Sequence, residues 1–313
     1  MTARILEAVP NFSEGRDLAV VAMIVEAMRA TGAEVLDWSA DPDHHRSVVT
    51  VIGPPKLVED AAFAGAAVAV NKIDLRDHQG VHPRIGAIDV LPFVPLAGLS
   101  MTDAGASARR VGNRIANELR LPVYFYGQAS DPPGRNLASL RRGGFEQLVG
   151  GYTAERAPDV LPANWPHRGV HPTAGAVCVG ARPVLLAWNI WIDGVTLDIA
   201  REIAGNVREQ KSGIRGLRAL ALPLPTRNAL QISMNIEDVE HSSPNAAFTL
   251  VKTLVEAAGG TVTKTEIIGM APDELLDVVT DEWRLEAGTR ERSLSQQVSR
   301  YLAAQNTTAA KSE

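Results

Sequence analysis

The chain has 313 residues, 45% hydrophobic and 21% charged, with a formal net charge of −5 and a pI of about 5.9. This is the composition of a soluble globular enzyme with room for two domains, and scattered basic residues on an acidic background weigh against nucleic acid or anionic membrane as partner. A single cysteine, Cys178, excludes an internal disulfide and fits the reducing cytoplasm, where the protein is expected.

Residues 4–10, RILEAVP, predict a strand that ends at the turn-prone NFSEG. Glu7 interrupts this apolar stretch, so no signal peptide is expected. Residues 17–30 predict a helix, with Gly32 where a C-cap is expected. Two strands follow, AEVLDWS and RSVVTVIG, separated by ADPDHH. Pro54 and Pro55 introduce KLVEDAAFAGAAVAVNKI, apolar on nearly all sides and so expected to be a buried helix. No apolar run approaches the roughly 18 residues of a membrane span. GAIDVLPFVPL is a further strand, completing the order β-α-β-β-α-β. A helix over roughly 102–120, opened by Ser100 or Thr102, and the strand PVYFYG come next, then irregular chain rich in Gly, Pro and Arg to about residue 172. Cys178, inside AVCVGA, is expected to be buried and inert.

The second half repeats the order. VLLAWNIWI, GLRALALPL, ALQISMNI and TVTKTEIIGM are strands; TLDIAREIAGNVREQ and NAAFTLVKTLVEAAGG are helices. The fold class expected is α+β, two ferredoxin-like βαββαβ subdomains spanning 1–178 and 179–297, followed by a disordered tail, 298–313. Such a sheet carries helices on one face. In ALQISMNI, Leu230, Ile232, Met234 and Ile236 would meet the helices, while Gln231, Ser233 and Asn235 would point to the open face. Glu7, Asp89 and Asn189 are polar intrusions of the same kind, and two such sheets facing each other would line a cleft.

The pattern H-x-G-V-H-P-x-x-G-A occurs twice, as HQGVHPRIGA (78–87) and HRGVHPTAGA (167–176), and holds four of the seven histidines. A metal site needs both imidazoles of H-x-x-x-H on one helical face. Here a glycine lies inside each copy and a proline follows each second histidine, pushing it into extended backbone. A catalytic loop fits better, since imidazole can take and return a proton near neutral pH. In G-V-H-P-R, Arg84 would favour neutral His82 and offer a cation to an anionic substrate. A structural role for a His-Pro pair in a loop remains open on pattern alone.

The segments VPNFSEGR (9–16), HRSVVTVIGPP (45–55), GVHPRIGAIDVLPFVPL (80–96), LPVYFYGQA (121–129), RNLASLRRGGFE (135–146), HPTAGAVCVGAR (171–182) and IIGMAPDELL (267–276) resemble the glutamate formimidoyltransferase (formiminotransferase) family, in order over residues 4 to 280. The resemblance is also to the formiminotransferase part of formimidoyltransferase-cyclodeaminase; the present chain is expected to lack the cyclodeaminase. It implies two subdomains whose sheets face across a ligand tunnel, a homodimer, tetrahydrofolate as co-substrate, and no metal. The implied reaction moves a formimino group from N-formimino-L-glutamate to N5 of tetrahydrofolate. Alternatives on the same scaffold are formyl exchange between 5-formyltetrahydrofolate and glutamate, or folate binding without turnover. The family's G-x-H-P-R-x-G-A motif matches His82 as the catalytic histidine. Its folate segment, just before G-A-x-x-x-G-A-R, falls on Pro166, His167, Arg168, Gly169, Val170, His171, Pro172, Thr173, Ala174 and Gly175. Substrate carboxylates call for guanidinium forks, so Arg46, Arg84 and Arg182 are candidates, with Asp37 and Asn189. Departures from the family pattern are Ser39 for an acid, His45 for an asparagine, and Trp191 for a smaller polar residue.

Overall fold

The structure is a computed structural model that describes residues 3–276 and 278–310. It is a mixed α+β chain in two compact units, Met1–Arg182 and Pro183–Glu313.

The first unit contains β1 (Leu6–Ala8), β2 (Asn11–Phe12), α1 (Leu18–Arg29), β3 (Glu34–Asp41), β4 (Arg46–Gly53), α2 (Pro55–Lys72), β5 (Ile88–Pro95), α3 (Met101–Glu118), β6 (Val123–Gly127), α4 (Leu137–Leu140), α5 (Gly144–Gly150) and β7 (Val177–Ala181). The strand expected over 4–10 is broken. Pro10 has no N–H to give a ladder, so pairing stops there while its carbonyl still accepts from Val49 at 3.1 Å. β1 lies between β4 and β5, antiparallel to both, and β3 flanks β4. β7 extends the sheet parallel to β5, and β6 closes it parallel to β7. A boundary after residue 178 would cut β7, which is why the division falls after Arg182. The stretch 137–150, expected to be irregular, carries α4 and α5.

Local signals explain the helix starts. The Asp17 side chain accepts from the Ala19 and Val20 amides, and Ser100 and Asp103 form a reciprocal capping box at α3. Each such cap contributes about 1 kcal/mol. Leu6, Ala8, Val49, Val51, Leu91 and Phe93 join residues of the three long helices in one core. Glu7, at the alternate position of β1, faces the other way beside Ile52 and Val94. Cys178 is buried in β7, and burial pushes its thiol pKa up, so it stays protonated and inert.

The second unit contains β8 (Leu186–Asp193), α6 (Leu197–Val207), α7 (Glu209–Ser212), β9 (Leu217–Leu224), β10 (Ala229–Ile236), α8 (Pro244–Ala257), β11 (Thr261–Ile268), α9 (Asp273–Leu276) and α10 (Leu294–Ala310). Its strand order is β11-β8-β10-β9, antiparallel throughout. Ile232, Met234 and Ile236 enter the core and Leu230 packs against it, while Gln231 and Asn189 donate to Glu266 Oε1 at 3.0 and 3.1 Å on the opposite face. Trp188, Phe248 and Trp283 pack ring on ring, with centroids 4.7–5.9 Å apart. The tail expected to be disordered is helical through Ala310; residues 311–313 lie outside the described residues. No described helix is long and apolar enough to cross a membrane.

Glu7 gives a first testable consequence. It is 4% exposed, no hydrogen bond reaches its carboxylate among the described residues, and burial, only partly offset by Arg182, raises its pKa to about 7. A raised folded-state value means its neutral form supports folding fully below the unfolded value near 4.5, and that support is lost as pH rises through 7. Glu7→Gln should therefore match wild type in denaturant melts at pH 4 and exceed it by about 3 kcal/mol at pH 8. A difference that stays flat across this window would refute the buried, proton-holding carboxyl.

Candidate active site

The two copies of the repeated motif meet in space. Gly86 and Gly175, equivalent positions of the copies, form an antiparallel bridge, with Ala87 N donating to Ala174 O at 2.9 Å and Ala176 N to Ile85 O at 3.0 Å. A Cβ on Gly86 would sit 1.9 Å from Ala176 O, and one on Gly175, whose φ is +68°, 2.0 Å from Ile85 O. Only glycine allows backbones this close.

The histidines of the copies work differently. His171 Nδ1 accepts from the Thr173 and Ala174 amides at 3.3 and 3.0 Å, so it holds a tight turn with its proton on Nε2. His82 has the other tautomer. Its Nδ1–H donates to the Pro83 carbonyl at 2.9 Å, leaving the Nε2 lone pair without a partner among the described residues. The ring is half-buried, and burial together with the Arg46 and Arg141 charges holds its pKa well below the usual value, so it is neutral at pH 7. A neutral base was expected from Arg84; the cations responsible are Arg46 and Arg141.

The loop bearing His82 is braced from beneath. His78 Nε2–H donates to His45 O at 2.7 Å and the two rings stack 4.1 Å apart. Burial, chiefly, takes His78 down to about 4, so it too is neutral. Val81 N donates to Asp43 O at 3.1 Å, and Arg16 bridges the carbonyls of Pro42 and Gln79 at 2.9 and 2.8 Å. His45, at φ +50°, pairs with Glu14 at 3.1 Å. Burial raises the Glu14 pKa, but hydrogen bonds from His45 and from the Asp17 and Arg16 amides prevail and hold it at about 2. Histidine, like asparagine, tolerates this left-handed backbone.

Beside His82 lies a buried charge array. Asp89 Oδ2 accepts from Arg46 Nη1 at 2.7 Å and also from Arg141 Nη2, while Asp89 Oδ1 accepts from Ile85 N at 2.9 Å. Burial raises the carboxyl's pKa, yet Arg141 and Arg46 outweigh it and keep Asp89 ionised. Arg46 also donates from Nε and Nη2 to Asn11 Oδ1, at 3.1 and 2.9 Å.

The structure brings His82 and Arg46 together and disperses other candidates. Arg84 donates to the carbonyls of His78 and Leu75 at 3.1 and 3.4 Å and pairs with Glu146 at 2.9 Å, which makes it a loop clamp. Asp37 lies on β3 opposite Thr50. Arg182 follows β7, its amide on Phe93 O, and its charge bears on Glu7. Asn189 belongs to the second unit, on Glu266. Trp191 takes the cations of Arg227 and Lys264 over its ring at 5.2 and 4.8 Å. In the folate segment Gly169, Val170, Ala174 and Gly175 are buried scaffold, whereas Pro166, His167, Arg168 and Pro172 are exposed and His171 and Thr173 half-buried. Sequence reading named neither Asn11, Glu14 nor Arg141 as a site residue and took His78 only as part of the repeated motif; of the array, it marked Asp89 as an intrusion in an apolar strand. Among the described residues no three His, Cys, Asp or Glu side chains are placed to hold one metal ion.

Comparison with known proteins bears on this geometry. Residues 5–182 match the family model described as the formiminotransferase domain, N-terminal subdomain, and residues 187–288 the formiminotransferase domain. The chain is 37% identical over 280 residues to a glutamate formimidoyltransferase of Streptococcus pyogenes, covering 88% of this chain and 92% of that protein. It is 38% identical to that of Thermoplasma acidophilum, covering 88% and 90%. With the formimidoyltransferase-cyclodeaminase of Rattus norvegicus identity is 35%, over 86% of this chain and 50% of that one. With both family models matched in order and the repeated His loops paired at the centre of the first, the chain belongs to the formiminotransferase domain family.

Proposed function

We infer that the protein is a glutamate formimidoyltransferase, moving the formimino group of N-formimino-L-glutamate to N5 of tetrahydrofolate. The observation that carries the chemistry is the neutral His82, its Nε2 lone pair unengaged among the described residues, beside a fixed cationic array. N5 attacks the amidine carbon and a tetrahedral adduct forms. His82 Nε2 takes the N5 proton and delivers it to the glutamate nitrogen, because an unprotonated amide anion would be a very poor leaving group. The C–N bond to glutamate then breaks, and the histidine returns to neutral. Such acid–base help is worth about 10²–10⁴-fold, and alignment of the two substrates supplies more.

The strand orders β3-β4-β1-β5 and β9-β10-β8-β11 support the ferredoxin-like reading of each unit. The exposed residues of 166–175, with His167 edge-on to Trp165 at 4.9 Å, support that segment as the pterin cradle. The protein mixed with tetrahydrofolate and formiminoglutamate should release glutamate and form the folate adduct with its own absorbance. Turnover with 5-formyltetrahydrofolate and glutamate alone would instead establish formyl exchange, and binding of folate with no glutamate release would leave a carrier.

A further inference from the structure

Two guanidinium groups and one carboxylate meet beside His82, and their charges do not balance. Asp89 is fully buried, Arg46 and Arg141 keep only 9% and 15% of their side chains exposed, and neutral His82 adds nothing. The array therefore carries one positive charge in surroundings where an uncompensated charge is costly. Arg46 is the more committed of the two, since each of its nitrogens already donates to Asn11 or Asp89 and only one hydrogen is left on each Nη. Arg141 differs. One Nη2 hydrogen goes to Asp89, while Nε is buried with no acceptor and Nη1 makes no hydrogen bond among the described residues. Buried N–H groups without acceptors are rare in folded proteins and commonly mark a missing ligand. The position is fixed as well, because Arg141 caps α4 and its amide donates to Leu137 O at 3.2 Å.

We propose that Arg141 is the receptor for the α-carboxylate of formiminoglutamate. This rests on His82 being the reacting base. The donor's α-carbon is bonded to the nitrogen that departs, so its α-carboxylate must lie next to the reacting atoms. The γ-carboxylate sits at the far end of the side chain, and the folate carboxylates lie beyond the p-aminobenzoyl bridge; neither reaches the imidazole when N5 does. An α-carboxylate on Arg141 neutralises the array, satisfies the idle donors with charge-assisted bonds, and fixes the leaving nitrogen beside His82. Arg46 then serves to hold Asp89, and through it Arg141, in place.

The test pairs Arg141→Gln with a donor that lacks the carboxylate, N-formimino-4-aminobutyrate. With formiminoglutamate, R141Q should lose about 10²-fold in kcat/KM, with the KM for tetrahydrofolate unchanged. Wild type should lose a similar factor on the truncated donor, and R141Q should lose no more on that donor than wild type does. Equal penalties from R141Q on both donors, or a raised KM for tetrahydrofolate, would overturn the assignment. If R141Q does not fold, Arg141→Lys keeps the charge but not the fork, and its loss of about tenfold should fall on formiminoglutamate alone; a loss shared by both donors overturns it. His82→Asn separates the two readings. It should lower kcat on both donors alike, so full turnover by that variant would dismiss the base while leaving the donor selectivity of Arg141 to be judged by its own cycle.

Discussion

His82→Asn should lower kcat by about 10²–10⁴-fold while the fold and tetrahydrofolate binding persist. Among the described residues the ring makes one hydrogen bond, to the carbonyl of the next residue, so its removal disturbs little beyond itself. Asparagine is polar and similar in length but has no group that titrates between substrate nitrogens. The expected pattern is a fall in kcat, an unaltered KM for tetrahydrofolate, and a melting midpoint close to wild type. The wild-type pH profile supplies an independent reading. Burial and the Arg46 and Arg141 charges hold the imidazole pKa well below the usual 6.5, and the base works only when unprotonated. Rates should therefore hold through pH 6, where an ordinary histidine would already be mostly protonated, and fall only in more acidic solution. Near-wild-type kcat for the variant would remove His82 from the chemistry, whatever the profile.

Much of this was readable in the sequence, and the parts that were not share a physical cause. Alternation in ALQISMNI and the Asp17 and Ser100 caps depend on neighbours a few residues away, and those elements stand where the sequence put them. The resumption of the first strand at Asn11–Phe12 and the extra strand at Val177–Ala181 depend on pairing partners: Val48 and Ser47 for the one, Val90 to Phe93 and Val123 to Gly127 for the other. Nothing local announces such partners. The same holds for the site. His82 was visible because proline and glycine fix its surroundings within one motif. Arg141, 52 residues from Asp89, could not be found that way, and the RR pair that contains it looks like ordinary surface charge. Asp89 was the visible half: a carboxylate inside AIDVLPFV requires a cation, without saying which. Arg84 shows the converse. It stands two residues from His82 and looked like a substrate fork, yet Glu146 and two carbonyls take its Nη groups and only its buried Nε lacks an acceptor among the described residues.

Asp89→Asn tests whether that array is one unit. Removing the carboxylate leaves two guanidinium groups close together with no counter-charge, and breaking a buried pair from one side costs about 3–5 kcal/mol. With its carbonyl in the Oδ2 position the amide would still accept from both arginines but turn its NH2 on the Ile85 amide, and in the flipped orientation it would turn the NH2 on both arginines, donor against donor either way. Ile85 is three residues past His82, so the loop that carries the base should loosen with it, and kcat should fall even where the variant remains folded. The folded-state carboxyl pKa is depressed, so this stabilisation is present above the unfolded value and is lost only as pH falls through the folded one. Denaturant melts should accordingly show a wild-type advantage that is constant from pH 8 to about pH 5 and narrows in strong acid. Adding Arg141→Gln to Asp89→Asn should recover part of the lost stability, since it removes one of the stranded charges, but none of the lost donor binding. An Asp89→Asn protein as stable as wild type would mean that the two arginines find another counter-charge, and the array would then lack the excess that calls for an anionic substrate.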